Sequence, residues 1–313
     1  MSDVDLSTNL AGLILPNPVM VAAGCAGAGR ELAPFLDPAA LGAFVTRSIT
    51  LDPCAGWPTP RLLETPSGVL SAVGLQNPGL QAFLATELPW LAQRKARTIV
   101  SVAGTTLGQY AELARHLGNA PGVCGIEVNL AAPNEEANGR AFGREPYQAA
   151  KVLAVVRRDV PRGIPVLAKL DAAPDVADVA RAVVKAGADA VVLVNAVAAL
   201  AIDPATLRPA LGTPVGGLSG PAIHALAVRC VWEVHAALPG LPVIGVGGIS
   251  TGFDALEMLL AGATAVQVGT AVLHDPGAPA HVLAGLEREL AGRGIHRVVD
   301  VVGRAHIAEG EHR

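Results

Sequence analysis

Aromatic side chains are nearly missing from this sequence, at 3% of its 313 residues. Its core must therefore be assembled from Ala, Val and Leu. Charged residues are also few, at 16% against 51% hydrophobic, a balance that excludes a disordered chain. The four cysteines, Cys25, Cys54, Cys124 and Cys230, are scattered and form no CxxC pair. The chain thus has no evident zinc or iron–sulfur site of its own, and no disulfide framework is expected. Lysine and arginine form no run and the net charge is -4, which argues against nucleic-acid binding. No apolar stretch reaches the roughly 18 residues of a membrane-spanning helix. The longest, 190–202, contains Asn195. The N-terminal MSDVDLSTNL is acidic and polar, unlike a signal peptide or a basic targeting segment. These absences lead us to expect a cytoplasmic protein with neither membrane nor nucleic-acid partners.

Short apolar runs alternate with longer amphipathic ones. The runs at 19–24, 43–49, 98–103, 125–130, 166–170, 190–195, 243–247 and 265–268 read as strands. Stretches 79–93, 106–117, 146–159, 175–186, 220–237, 251–261 and 277–291 read as helices. Continuously apolar strands separated by helices are parallel strands covered on both sides. Eight of them match the count of a closed barrel. The expected fold is α/β, a (β/α)8 TIM barrel forming a single domain over 1–313, with an open doubly wound sheet as the alternative. Three segments depart from the repeat: a short hairpin at 5–17, a strand-bearing insertion at 52–78 after strand two, and a second insertion at 196–219 after strand six. Both insertions leave strand C-termini, where barrels place their active sites.

The strand ends carry the chemistry. They read Ala23-Gly24, Arg47-Ser48, Ser101, Asn129, Lys169 with Asp171, Asn195, Gly247-Gly248 and Gly269-Thr270. Polar groups ending apolar strands are costly unless they meet a ligand or one another, so a polar ligand over the barrel mouth is expected. The glycine pairs of the last two strands can cradle a phosphate on bare backbone N–H groups; tight turns alone are the plainer explanation. Ser219, in Gly217-Leu218-Ser219-Gly220-Pro221, reads as the N-cap of the next helix and a second source of free amides. Lys169, ending an apolar strand, needs an anionic or hydrogen-bonding partner. A flavin carbonyl would serve, and so would an ion pair with Glu127.

These residues resemble the class 1 dihydroorotate dehydrogenases, most of all the catalytic subunit of the NAD-linked heteromeric type. The resemblance covers almost the whole chain. It is carried by Asn17-Pro18, Ala23-Gly24-Cys25, Pro58-Thr59-Pro60-Arg61, the stretch 74–79 (GLQNPG), Ala141-Phe142-Gly143, 216–223, Gly247-Gly248 and 268–271. It implies an FMN-dependent flavoprotein oxidoreductase acting on a CH–CH group, in a family related to pyrimidine biosynthesis. Around the FMN it places Ala23, Gly24, Arg47, Ser48, Ser101, Asn129, Lys169, Asn195, Ser219, Gly220, Gly247, Gly248, Gly269 and Thr270. Toward the substrate it places Arg47, Ser71, Gly74, Leu75, Asn129, Asn134 and Asn195. It also implies a homodimer that pairs with a separate iron–sulfur flavoprotein as electron-transfer subunit.

The departures cluster at the mouth. The family's catalytic cysteine falls at Ala132, in Asn129-Leu130-Ala131-Ala132-Pro133-Asn134, and a methyl group cannot take a proton. The family's lysine after strand two is Arg47, its asparagine before the Gly-Leu pair is Ser71, its strand-three asparagine is Ser101, and its hydroxyl residue after Asn195 is Ala196. Three readings follow: hydride transfer with a different small substrate bearing a carboxylate or amide; dihydroorotate dehydrogenase chemistry with a relocated base; and a non-catalytic flavin- or ligand-binding relative. Asp171 is the first candidate for a replacement acid or base, with a salt bridge to Arg47 or Lys169 as its structural alternative. Cys54 is a lesser candidate, Cys25 is expected to pack, and His224 is expected on a solvated helix face.

Overall fold

The computed structural model describes residues 4–132 and 140–306. Eight parallel strands close into a barrel: β1 (Val19–Val21), β2 (Ala43–Val45), β3 (Thr98–Val102), β4 (Val123–Asn129), β5 (Val166–Leu170), β6 (Ala190–Leu193), β7 (Val243–Val246) and β8 (Ala265–Val268). Each pairs with its neighbours in chain order, and β8 closes on β1 through Val266↔Val19. The scarcity of aromatics is compatible with this closure because strand residues alternate between two packed faces. Met20, Ala43, Val45, Ile99, Leu167, Val192 and Ile244 fill the interior. Val21, Phe44, Val100, Val128 and Val191 face outward into the larger core beneath the helices.

Those helices are α1 (residues 80–93), α2 (Leu107–Leu117), α3 (Pro146–Asp159), α4 (Val176–Lys185), α5 (His224–Ala237), α6 (Gly252–Leu260), α7 (Ala271–His274) and α8 (Ala278–Ala291). Thr251 caps α6 in a reciprocal capping box with Asp254, which fixes the chain direction just after the β7 turn. The hairpin Thr8–Leu10/Leu13–Leu15 turns through Ala11 and Gly12, both at positive φ. It sends Leu10 and Leu15 into the interior cluster, and so plugs one end of the barrel.

The two insertions meet at the other end. Strand 68–71 of the first pairs with strand 216–219 of the second through Gly217↔Ser71, Leu218↔Leu70 and Ser219↔Val69. With strands 62–65 and 197–199 they make one four-stranded antiparallel sheet over the mouth. Ser219 therefore ends a strand and caps no helix, which corrects the sequence reading. Gly220 occupies the N-cap of the short turn Pro221–Ile223, and Ile223 that of α5, neither with a side-chain cap bond. Among the described residues no helix is long and apolar enough to cross a membrane.

Candidate functional site

A cavity of about 230 Å³ opens at the barrel mouth, lined by Ala23, Gly24, Arg47, Ser48, Ser71, Val73, Leu75, Ser101, Glu127, Asn129, Lys169 and Asn195. Its polar side chains form a chain of contacts around the rim. Ser48 and Ser101 share a hydrogen bond of 2.9 Å. Asn129 Nδ2 donates to Ser48 Oγ at 3.1 Å, and Asn195 Nδ2 donates to Asn129 Oδ1 at 3.5 Å. The Tyr110 hydroxyl, from α2, donates to the Asn129 carbonyl at 2.6 Å and anchors the end of β4. The side chains are thus pre-positioned by bonds among themselves, as a site that holds a planar polar ligand needs. Leu75, at φ 57°, and Gly74, at φ 74°, bend the first insertion down over the cavity. A Cβ on Gly74 would lie 2.6 Å from the Trp57 ring.

A second cavity, of about 480 Å³, continues along the same strand: Gly68 and Val69 line it, together with Gly220, Gly248, Ser250, Thr270, Ala271 and Asp275. Its backbone is shaped by glycine. Gly220 has φ 94°, Gly247 φ 131° and Gly248 φ 69°, a region that side-chain-bearing residues enter at a cost. A Cβ on Gly248 would sit 2.6 Å from His224 Cβ and 3.0 Å from the Gly220 carbonyl. Thr270 Oγ1 donates to Ser219 Oγ at 2.8 Å, tying the β8 turn to the second insertion. Gly247 and Gly269 stand behind these turns, without lining the cavity themselves. Together the turns line one concave cavity with glycine backbone, and such turns can point their amides toward a phosphate.

Arg47 lines the mouth cavity and also a neighbouring one of about 600 Å³ that holds Cys25, Cys54, Arg30 and Gln76. Its guanidinium donates from Nη2 to the Gly24 carbonyl at 3.0 Å and from Nη1 to the Gln76 carbonyl at 2.9 Å. Arg47 is therefore a wall between two cavities and a clamp between two loops. Cys25 shares the larger cavity; burial pushes its thiol up, while Lys169 and Arg47 pull it back. Cys54 donates its thiol to the Gly74 carbonyl at 3.3 Å.

Asp171 does not line either mouth cavity. Among the described residues it has no ion pair with Arg47 or Lys169, so that structural alternative is corrected. Burial pushes its carboxyl above the usual range, opposed by the positive charge of Arg144. Ala132 is buried, at 3% exposure. The ends of its loop are pinned by Gly143 N donating to Leu130 O at 2.8 Å and Phe142 N to Ala132 O at 3.4 Å. Asn134 lies outside the described residues.

Lys169 forms the expected ion pair with Glu127, but a long one, and its closest hydrogen-bond partner is a third residue. Its Nζ donates to Gln267 Oε1 at 3.0 Å and stands 3.9 Å from Glu127 Oε1. His224 is not solvated: its ring meets the Gly247 carbonyl at 2.8 Å and Glu257 at 2.9 Å, with the side chain 15% exposed. Gln267 went unnoticed in the sequence, and His224 was placed there on the wrong kind of surface. The available signal was Gln267 and Glu127 standing mid-strand in otherwise apolar runs, where burial demands a partner.

Residues 5–290 match the family model described as dihydroorotate dehydrogenase. The chain is 50% identical over 310 residues to the dihydroorotate dehydrogenase B (NAD(+)) catalytic subunit of Desulforudis audaxviator, covering 98% of this chain and 99% of that one. The protein of the same description from Pelobacter propionicus is 47% identical over 302 residues, covering 96% and 98%. The one from Geotalea daltonii is 46% identical over 310 residues, covering 98% and 100%.

Proposed function

The chain belongs to the dihydroorotate dehydrogenase family, and on that premise we propose that it is an FMN-dependent oxidoreductase whose mouth serves a small substrate other than dihydroorotate. The observation that carries the reading is the pairing of a complete cofactor cradle with a loop that has no titratable group at Ala132. The cradle fits FMN. Gly220, Gly248 and Thr270 would hold the phosphate; Ala23, Gly24, Ser48, Ser101, Asn129, Lys169 and Asn195 would surround the ring. Bound FMN supplies a two-electron acceptor and donor. The protein supplies the cation of Lys169, the fixed amides of Asn129 and Asn195 for a flat polar substrate, and the Arg47 clamp that shapes the entrance. Gly74, Leu75 and Ser71 close the site from above, with Asn134 as a further substrate contact. A homodimer in the cytoplasm is part of the reading. So is a second chain that carries electrons, since the relatives are named catalytic subunits. With its own cysteines scattered, an iron–sulfur flavoprotein partner would bring any cluster.

The purified protein is expected to carry noncovalent FMN and to bind it far more tightly than riboflavin, which lacks the phosphate. Absorbance of the isolated protein and titration of apoprotein with each flavin test this. A colourless protein that takes up neither would sink the flavin reading and favour a non-catalytic relative.

Dihydroorotate dehydrogenation with a relocated base is the second reading; its candidate is Asp171, which lies outside the cavity but directly follows β5, the strand that carries cavity-lining Lys169. Its folded carboxyl lies above the usual range because of burial. For such a group, stability is fully present below the unfolded value, about 3.9, and is lost as pH rises through the folded value. At neutral pH the buried carboxyl of Asp171 therefore weakens the fold. Asp171→Asn should raise the melting temperature at pH 7, with the difference closing as pH falls toward about 4. That is the pattern of a residue kept for function against stability. A lower melting temperature in the variant at pH 7 would mark Asp171 as a structural residue.

A further inference from the structure

Three buried polar side chains from three strands meet inside the barrel under the mouth cavity. Glu127 comes from β4, Lys169 from neighbouring β5, and Gln267 from β8 on the far wall. Glu127 and Gln267 are fully buried and Lys169 is 5% exposed. Lys169 Nζ donates to Gln267 Oε1 at 3.0 Å, and Gln267 Nε2 donates to Glu127 Oε2 at 2.7 Å. Both ends of the carboxamide are thus in use, and flipping it would set donor against donor and acceptor against acceptor. Glu127 Oε1 has no hydrogen-bond partner and stands 3.9 Å from Lys169 Nζ. Glu127 and Lys169 both line the cavity.

An ammonium and a carboxylate this close, both this deeply buried, would be expected to close into direct hydrogen-bond contact. Gln267 prevents that by holding each charge with the opposite end of one amide. The cation stays available to the cavity, partly offset by a carboxylate one step behind it. We propose that Glu127 and Gln267 are positioning residues that set how much positive charge Lys169 presents to the flavin, and hence the flavin's reduction potential. The inference rests on the FMN reading above. Reduction adds negative charge to the ring, so a less compensated cation favours the reduced form and a more compensated one opposes it.

The two positions therefore have opposite signs. Glu127→Gln removes the offsetting charge and should raise the potential. Gln267→Met removes the spacer, lets Lys169 close on Glu127, and should lower it. Sulfite, which adds reversibly to oxidised flavin and is favoured by the same positive charge, gives a second readout that needs no substrate. Its affinity should rise about tenfold in the first variant and fall about tenfold in the second, the scale of one charge contact in a partly screened site. If Glu127→Gln takes up no FMN, Glu127→Asp keeps the charge but withdraws it, and should shift sulfite affinity weakly upward. If Gln267→Met takes up none, Gln267→Leu replaces it, with the same expected fall. Shifts of the same sign at both positions, or none in variants with full FMN content, would overturn the inference and leave the FMN reading standing. A wild-type protein that binds no FMN would overturn both.

Discussion

Anaerobic mixing of the FMN-loaded protein with dihydroorotate is expected to leave the flavin absorbance essentially unbleached. Oxidising dihydroorotate breaks two C–H bonds. A hydride leaves one carbon, and a base must take a proton from the neighbouring carbon, which needs a titratable group within hydrogen-bond reach. At Ala132 the loop offers a buried methyl group. Loss of a positioned base typically reduces the rate by about 10²–10⁴. The mouth compounds that loss. Arg47 spends Nη1 and Nη2 on the Gln76 and Gly24 carbonyls, and Ala196 has no hydroxyl. An amide edge of a pyrimidine left unpaired in such a site would lose roughly 1–3 kcal/mol of binding. Stopped-flow absorbance of the oxidised flavin is the measurement. Ala132→Cys then separates the two causes: bleaching restored by the thiol would make the base the main loss, and continued inertness would mean the pocket is rebuilt for another molecule. Rapid bleaching by the unaltered protein would refute the prediction and give this chain the reaction named for its relatives, with Asp171 the base to examine next.

The barrel was legible because a buried parallel strand has a distinctive local pattern, a short apolar run ended by Gly or a polar residue, repeated at each strand. The hairpin at 5–17 and the strands within 52–78 were legible for the same reason, since both are local. What stayed hidden is what the chain makes between distant segments. Nothing in 68–71 announces that it will pair with 216–219, so Ser219 read as a helix cap. The Gln267–Glu127 bond joins residues 140 positions apart across the barrel, and neither residue ends its strand. Arg47 could be placed at the mouth from its position alone, but the Gly24 and Gln76 carbonyls that hold its guanidinium could not be foreseen. His224 read as solvated because its partners, the Gly247 carbonyl and Glu257, lie on two later elements. The glycines were readable as turns. Their conformation, which decides whether they can be anything else, was not.

Gly248→Ala should cost the protein most of its FMN, with an affinity loss of about a hundredfold. Two constraints act at this residue. Its φ of 69° is a left-handed conformation that costs a side-chain-bearing residue about 1–2 kcal/mol. The new methyl would also lie 2.6 Å from His224 Cβ and 3.0 Å from the Gly220 carbonyl, and overpacking of this kind typically adds about 1–3 kcal/mol. The turn has an escape: without ligand it can shift away from α5 and relieve both. FMN binding would then have to drive the turn back, because Gly220 and Gly248 line the same cavity and their amides must converge on one phosphate. The strain relieved in the apoprotein thus reappears as lost affinity, and about 3 kcal/mol corresponds to roughly a hundredfold at 1.4 kcal/mol per decade. Riboflavin makes no call on the phosphate cradle, so its weaker affinity should change little. Fluorescence titration of both flavins against wild-type and variant apoprotein decides the matter. An FMN affinity unchanged by Gly248→Ala would move the phosphate away from this turn, whereas equal losses for FMN and riboflavin would mean that the substitution damages the barrel mouth as a whole.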